Sequence, residues 1–235
     1  MSHPKAILFD LDDTLISFDG VTHEAWTTAC RDFVEKYRPD CEEEEIFQAV
    51  TKTSAWYWSD PDRHTEGRKD LLTGRRNIVR LALAELNIHN EEQVESLARG
   101  YSEIKYSLIH IYPESIPLLN KLKEAGVRLG LLTNGTSEEQ RDKIRRFALE
   151  DYFEIILIEG EFGCGKPDSR VYRKALELLE LESSDVWMVG DNLVWDIGGA
   201  QSLGIHAIWH DYKGKGLPEG SQIIPDRIIN NISQL

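Results

Sequence analysis

A short apolar run leads directly into a cluster of carboxylates in the stretch Ala6-Ile7-Leu8-Phe9-Asp10-Leu11-Asp12-Asp13-Thr14. Four consecutive apolar residues predict a buried strand, which would deliver Asp10 and Asp12 to its C-terminal end. A carboxylate there can attack phosphorus, and a second one two residues later can protonate the leaving oxygen and then activate water. Aspartate is also a common turn residue, so this stretch by itself leaves open an acidic turn that ends a strand.

The composition limits the classes of protein to be considered. The chain has 235 residues, 41% of them hydrophobic, three cysteines and a formal net charge of −14. We expect one substantial core with a smaller module, and a reduced, cytoplasmic setting, because the cysteine spacings match neither a disulfide framework nor a zinc site. No apolar stretch approaches the roughly 18 residues of a membrane span. The negative charge argues against binding to nucleic acid, whose backbone is bound by clustered lysines and arginines.

Strand-like and helix-like segments alternate over the C-terminal half of the chain. Strands are predicted at 127–132, 153–158, 186–189 and 205–209, and helices at 115–125, 137–147, 169–179 and 196–203. Such alternation is typical of an α/β fold. We therefore predict a Rossmann-like parallel sheet with helices on both faces.

The segment between the first and second predicted strands breaks this alternation. It shows helical periodicity at 25–37, 43–57, 70–86 and 91–108 but no convincing strand. A crossover between parallel strands needs only about a dozen residues. We interpret the segment as an inserted all-α cap, with predicted domains of 1–17 and 111–235 for the catalytic core and 18–110 for the cap domain.

Polar residues follow the other predicted strands, at the edge where open α/β sheets bind ligands. The second strand ends at Thr133 and Asn134, which offer a hydroxyl and main-chain N–H groups to an anion, or alternatively cap the next helix. Lys166 follows the third strand, between glycine and proline, and would offset charge on a nucleophile and a phosphate. Asp191 and Asp196 follow the fourth strand, and their carboxylates suit the oxygen preference of Mg²⁺.

Together these four motifs resemble the haloacid dehalogenase-like hydrolase superfamily, in its phosphatase branch with an inserted helical cap of the C1 type. The matching features are the Asp-x-Asp-x-Thr loop at 10–14, the threonine at 133, the lysine at 166 and the Gly-Asp-x-x-x-x-Asp loop at 190–196. The resemblance spans nearly the whole chain.

The resemblance implies a role for each residue of the first and second motifs. Asp10 would be the nucleophile that forms an aspartyl-phosphate, and Asp12 would be the general acid and base. Thr14 would support their loop. Thr133 and the Asn134 main chain would hold the oxygens of the transferred phosphoryl group.

The resemblance also implies a cation and its ligands. Lys166 would bridge the nucleophile and the phosphate. Mg²⁺ would be held by the Asp10 carboxylate, the Asp12 main-chain carbonyl and Asp191, while Asp196 would orient the metal shell. The chemistry agrees, because phosphoryl transfer is catalysed mainly by positioning and charge neutralisation.

The expected function is a Mg²⁺-dependent phosphatase that acts on a small phosphorylated metabolite, as a monomer or homodimer. Dehalogenation is disfavoured, because the dehalogenases of the superfamily carry an aromatic residue in place of Asp12 and work without magnesium. Phosphomutases share every core motif and remain an alternative. A phosphate-sensing protein without turnover is a third possibility.

Substrate selection is expected to lie in the inserted segment. Candidate contacts for a second anionic group are Arg63, His64, Arg75 and Arg76, and the alternative is that these are ordinary exposed helix charges. The aromatic run 56–58 could line a pocket, although consecutive aromatic residues in a small helical module are more often part of its core.

Overall fold

The fold was analysed in a computed structural model that describes residues 4–235, and the chain divides into two compact units. The first, here called the sheet unit, comprises the chain up to Ser17 together with His110–Leu235. The second, here called the helical unit, comprises Phe18–Ile109. Within the described residues, no helix combines the length and the hydropathy needed to cross a bilayer.

Parallel strands form the centre of the sheet unit. In chain order, the strands are β1 (Ala6–Phe9), β2 (Ile16–Ser17), β3 (His110–Ile111), β4 (Arg128–Thr133), β5 (Ile155–Ile158), β6 (Val186–Gly190), β7 (His206–His210) and β8 (Arg227–Ile229). Six of them form one sheet in the order β5-β4-β1-β6-β7-β8, and every neighbouring pair is parallel. The predicted fold class is confirmed.

Strand β1 is buried along its whole length because it lies between β4 and β6. Parallel strands covered on both faces are apolar throughout rather than alternating, and the sequence of Ala6–Phe9 follows that rule. Leu8 pairs with Gly130 on one side and with Met188 on the other. This central position brings the residue after β1 to the middle of the sheet's carboxyl edge.

The helical unit consists of five helices. They are α1 (Thr22–Tyr37), α2 (Glu43–Ser59), α3 (Pro61–Gly67), α4 (Leu71–Glu85) and α5 (Glu91–Leu108). Their amphipathic faces pack together, and the ring of Trp26 stacks on that of Tyr101 with centroids 3.6 Å apart. Helix α4 begins where the Asp70 side chain accepts a hydrogen bond from Thr73 N. Helix α3 was not anticipated from the sequence.

The helices of the sheet unit are α6 (Ser115–Glu124), α7 (Ser137–Arg146), α8 (Glu159–Phe162), α9 (Ser169–Leu179) and α10 (Gly199–Gln201). The predicted helix at 196–203 is wrong in its start and type. A π-helix spans Leu193–Gly198 and runs into α10. It begins earlier than predicted because the Asn192 side chain caps it, accepting hydrogen bonds from Val194 N and Trp195 N.

The two segments next to the helical unit pair with each other. Strands β2 and β3 form a separate antiparallel pair, with Ile16 opposite Ile111 and Ser17 opposite His110. Main-chain hydrogen bonds of this kind hold the two segments of chain that lead into and out of the helical unit side by side.

Candidate active site

A buried lysine joins the first motif to the fourth. Lys166 Nζ lies 2.6 Å from Asp10 Oδ1 and 2.7 Å from Asp196 Oδ1. The first contact is a hydrogen bond, whereas the second has only the distance of an ion pair. All three side chains are less than a tenth exposed. The sheet brings them together because β1 and β6 are neighbours whose carboxyl ends lie at one edge.

Burial and crowding of like charge shift the protonation of this group. Burial, together with the charges of Asp196 and Asp12, raises the pKa of Asp10 to about 7, although Lys166 opposes the shift. Burial by itself lowers the pKa of Lys166, but the adjacent Asp10 and Asp196 outweigh it, so the pKa of the ammonium group is raised. We therefore assign Lys166 as charged. The carboxyl groups of Asp10 and Asp196 repel each other, and both are attracted by this one ammonium group.

Three carboxyl groups form a candidate metal centre. Asp10, Asp191 and Asp196 each contribute one oxygen to a cluster in which these atoms lie within 4.8 Å of one another. Burial, and then the charges of Asp10 and Asp196, raise the pKa of Asp191 well above its ordinary value. A divalent cation would relieve that repulsion, and carboxylate oxygens are the ligands that Mg²⁺ prefers. The donor set therefore fits the expected ion.

The two aspartates of the fourth motif differ in their surroundings. Asp196 Oδ2 accepts a hydrogen bond from Asn192 N at 2.9 Å, and its Oδ1 lies beside Lys166. The hydrogen bond from Trp209 Nε1 to Asp191, at 2.6 Å, is accepted by the main-chain carbonyl of Asp191 and not by its carboxylate. Asp191 is thus the better placed of the two to give an oxygen to a metal, because Asp196 is already engaged.

The second motif supports the lysine through a side chain. Asn134 Nδ2 donates to Lys166 O at 2.8 Å, and Lys166 N donates to Asn134 Oδ1 at 2.8 Å. A β-carbon at Gly165 would collide with Asn134 Oδ1. This reciprocal pair fixes the main chain of Lys166, a contact that the sequence did not reveal.

The remaining residues of the first two motifs lie close by in the sheet unit. Thr14 Oγ1 donates to Asp10 Oδ2 at 3.2 Å, so this threonine does contact the predicted nucleophile. Thr133 is buried at the end of β4. The N–H of Gly135, the residue after Asn134, donates to Glu159 Oε2 at 3.0 Å.

Two functional candidates on α7 were missed in the sequence. Lys143 Nζ contacts both carboxylate oxygens of Asp12, at 2.8 and 2.9 Å, and Gln140 Nε2 donates to Asp12 Oδ2 at 3.0 Å. Helical periodicity could have revealed them, because Gln140 and Lys143 lie on the same helix face as the buried Ile144. In a helix of such mixed charge, that face is hard to recognise.

The candidate cations of the helical unit are partly engaged within it. Arg76 forms a two-point ion pair with Glu95, at 2.5 and 2.9 Å. Arg63 stacks over the ring of Trp56 at 3.8 Å and donates to Trp56 O. Arg75 lies 5.4 Å from the ring of Tyr101. His64 contacts the ring of Trp58 edge to face.

Comparison with known proteins identifies the family. The haloacid dehalogenase-like hydrolase family matches residues 4–204, which include all four motifs. The chain belongs to this family. The resemblance inferred from the sequence is therefore confirmed, and so is the assignment of the chain as a hydrolase.

Individual relatives cover nearly the whole hydrolase. A glyceraldehyde 3-phosphate phosphatase of Methanopyrus kandleri is 30% identical over 203 residues, which are 86% of this chain and 81% of the relative. A pyrimidine 5'-nucleotidase of Escherichia coli strain K12 is 30% identical over 232 residues, which are 97% and 95% of the two chains. A HAD-hydrolase structure from Bacillus subtilis, bound to magnesium, matches with a TM-score of 0.75 at 21% identity and covers 99% and 97% of the two chains. That structural likeness concerns the fold.

Proposed function

We propose that this hydrolase is a Mg²⁺-dependent phosphatase that cleaves small phosphomonoesters through an aspartyl-phosphate on Asp10. The observation that carries the proposal is the buried contact of Lys166 with Asp10, beside the carboxyl groups of Asp191 and Asp196. Such an arrangement combines a nucleophile with fixed positive charge, which is what phosphoryl transfer requires.

The reaction proceeds in two balanced steps. In the first, an Asp10 oxygen attacks phosphorus, the bond from phosphorus to the leaving oxygen breaks, and Asp12 gives that oxygen its proton. In the second, water attacks the phosphoryl group, one of its protons passes to the Asp12 carboxylate, and the bond from phosphorus to Asp10 breaks. The products are an alcohol and inorganic phosphate, and both aspartates return to their starting states.

The remaining residues neutralise and hold charge. Lys166 neutralises Asp10 and the incoming phosphoryl oxygens, and Thr133 with the Asn134 main chain binds those oxygens. Asp10, the Asp12 carbonyl and Asp191 would hold Mg²⁺, with Asp196 orienting the shell. When bound, the cation supplies a positive charge that draws the phosphate into a strongly acidic protein and stabilises charge in the transition state.

Triose phosphates and nucleoside monophosphates are the substrate classes that the named relatives support. The helical unit is proposed as the cap domain, whose side chains distinguish among substrates, and the sheet unit as the catalytic core. The two relatives are named for different substrates. The physiological metabolite is therefore to be identified by ranking a panel of phosphorylated compounds by kcat/KM.

The proposal is tested by the hydrolysis of p-nitrophenyl phosphate with Mg²⁺, with EDTA, and with Asp10→Asn. We expect chelation and Asp10→Asn each to lower turnover by at least about a thousandfold, because each removes a group on which the first step depends. The matched control is Asp185→Asn, which removes a partly exposed aspartate that pairs with Lys5 and lies at the other end of β6.

Equal turnover in all of these conditions would contradict the proposal. The phosphomutase alternative makes a different prediction, which the same protein can test. Incubation with a hexose phosphate would then yield its isomer with little free phosphate, whereas a phosphatase releases phosphate in proportion to the substrate consumed.

A further inference from the structure

Helix α7 presents two polar residues to the interior of the sheet unit. Seven of its ten residues are charged, yet Gln140 is 2% and Lys143 is 6% exposed. Burial of a lysine is costly unless its ammonium group is paired. Because the two residues are three positions apart, their side chains lie next to each other on one face of the helix.

Both side chains converge on one carboxylate. Lys143 Nζ is 2.8 Å from Asp12 Oδ1 and 2.9 Å from Oδ2, and Gln140 Nε2 is 3.0 Å from Oδ2. The side chain of Asp12 is only 23% exposed and that of Lys143 is 8% exposed. A mobile surface ion pair would have neither this burial nor three donor contacts. The contacts restrict rotation of the carboxylate about its own axis.

The same glutamine also reaches Thr133, a proposed ligand of the phosphoryl oxygens. Gln140 Nε2 also donates a hydrogen bond to Thr133 Oγ1, so one amide group contacts the loop after β1 and the end of β4. These two positions hold the proposed proton-transfer group and a proposed ligand of the phosphoryl oxygens. Helix α7 thereby sets the distance between them.

We propose that Lys143 and Gln140 are positioning residues, which hold the Asp12 carboxyl group in the orientation from which it transfers protons during phosphate ester hydrolysis. The inference rests on the proposed function, because it assumes that Asp12 is the proton donor and acceptor. Neither residue contacts the reacting atoms itself. Both act through Asp12, and Gln140 acts also through Thr133.

The leaving group provides a readout specific to this role. Dinitrophenolate departs without a proton, whereas phenolate from phenyl phosphate is a poor leaving group that needs one. A misplaced acid therefore slows the first step with phenyl phosphate far more than with 2,4-dinitrophenyl phosphate. General damage to the fold or to phosphate binding would slow both substrates alike.

The experiment compares kcat/KM for these two esters in the Mg²⁺-loaded wild type, Lys143→Met, Lys143→Arg and Gln140→Met. In Lys143→Met we expect the loss with phenyl phosphate to exceed the loss with the dinitrophenyl ester about tenfold or more, with KM changed less than about threefold. Lys143→Arg should recover part of the loss because it retains charge and donors. Lys174→Met, which removes a partly exposed lysine paired with Glu177 within α9, is the control.

Asp12→Asn separates the two proposals. If Asp12→Asn shows no leaving-group-dependent loss, the proposed role of Asp12 in catalysis fails. If it shows that loss while Lys143→Met and Gln140→Met lose activity equally with both esters, or not at all, the positioning role fails. Should Lys143→Met not fold, as judged by circular dichroism, Gln140→Met and Lys143→Arg give the same selective loss to a smaller degree, and its absence in both overturns the inference.

Discussion

At the scale of single residues, the fold disfavours the ionised form of the Asp10 carboxyl group when no cation is present. Its pKa is about 7 in the folded chain, against an ordinary value of 3.8, because burial raises it more than the charge of Lys166 lowers it, and Asp196 adds a smaller increase. The folded state thus binds this proton more tightly than the unfolded state. Its contribution to stability is fully present below about pH 4 and is lost as the pH rises toward about 7.

The difference in stability between Asp10→Asn and the wild type, both free of metal, should therefore depend on pH. We expect the stability of Asp10→Asn relative to the wild type to increase by a few kcal/mol between about pH 4 and pH 7 and then to level off, because the amide carries no charge to be desolvated. Urea denaturation in EDTA at several pH values measures this difference, with Asp185→Asn as the control. A gain that is constant over this range would contradict the assignment.

At the scale of elements, the sheet depends on the close approach of neighbouring strands at Gly130 in β4. A β-carbon there would lie 2.7 Å from Leu8 Cδ2 and 2.9 Å from Ile155 Cγ1, which are side chains of the strands on either side. By contrast, a β-carbon at Gly100 in α5 would meet nothing within 4 Å. A side chain therefore has no room at Gly130 but has free space at Gly100.

We accordingly expect alanine at these two positions to have opposite effects. Gly130→Ala should destabilise the sheet unit by about 1–3 kcal/mol through overpacking. Gly100→Ala should stabilise the helical unit by up to about 1 kcal/mol, since alanine is the better helix former. Chemical denaturation followed by circular dichroism measures both changes. If Gly130→Ala is not destabilising, the packing at Gly130 is not as tight as described. If Gly100→Ala is destabilising, the surroundings of Gly100 are not as open as described.

At the scale of the whole molecule, a net charge of −14 surrounds a site proposed to bind an anion. The carboxyl groups of Asp10, Asp191 and Asp196 add to that field at close range. Binding of a divalent cation would relieve it and, by mass action, stabilise the folded sheet unit. Two compact units need not unfold in one step, so the effect belongs to the transition of the unit that binds the cation.

Mg²⁺ should thus raise the Tm of the sheet unit. At about a hundred times its dissociation constant, we expect a rise of roughly 5–10 °C over the protein in EDTA. Asp191→Asn should lose most of this rise, and Asp185→Asn should keep it. Scanning calorimetry provides the measurement, and an equal rise in both variants would place the cation elsewhere.

Local patterns were sufficient for the class of fold and for the family. The apolar run of β1 and the alternation after Ser115 predicted a parallel sheet, because strands buried on both faces must be apolar throughout. The motifs around Asp10, Thr133, Lys166 and Asp191 were recognisable because each follows a strand. The start of the helix after β6 was mispredicted. The prediction began the helix at Asp196, whereas the side chain of Asn192 caps a helix that begins at Leu193.

The sequence by itself determined which chemical groups stand at the ends of the strands, because strand order along the chain and residue type are both local information. Only the tertiary structure decided that Lys143 and Gln140 meet Asp12, and that Asn134 holds the main chain of Lys166. These partners are separated by 131, 128 and 32 positions in the chain. Contacts between residues so far apart in the chain depend on the order of the strands in the sheet and on which face of a helix is buried. Neither can be read from a short stretch of sequence.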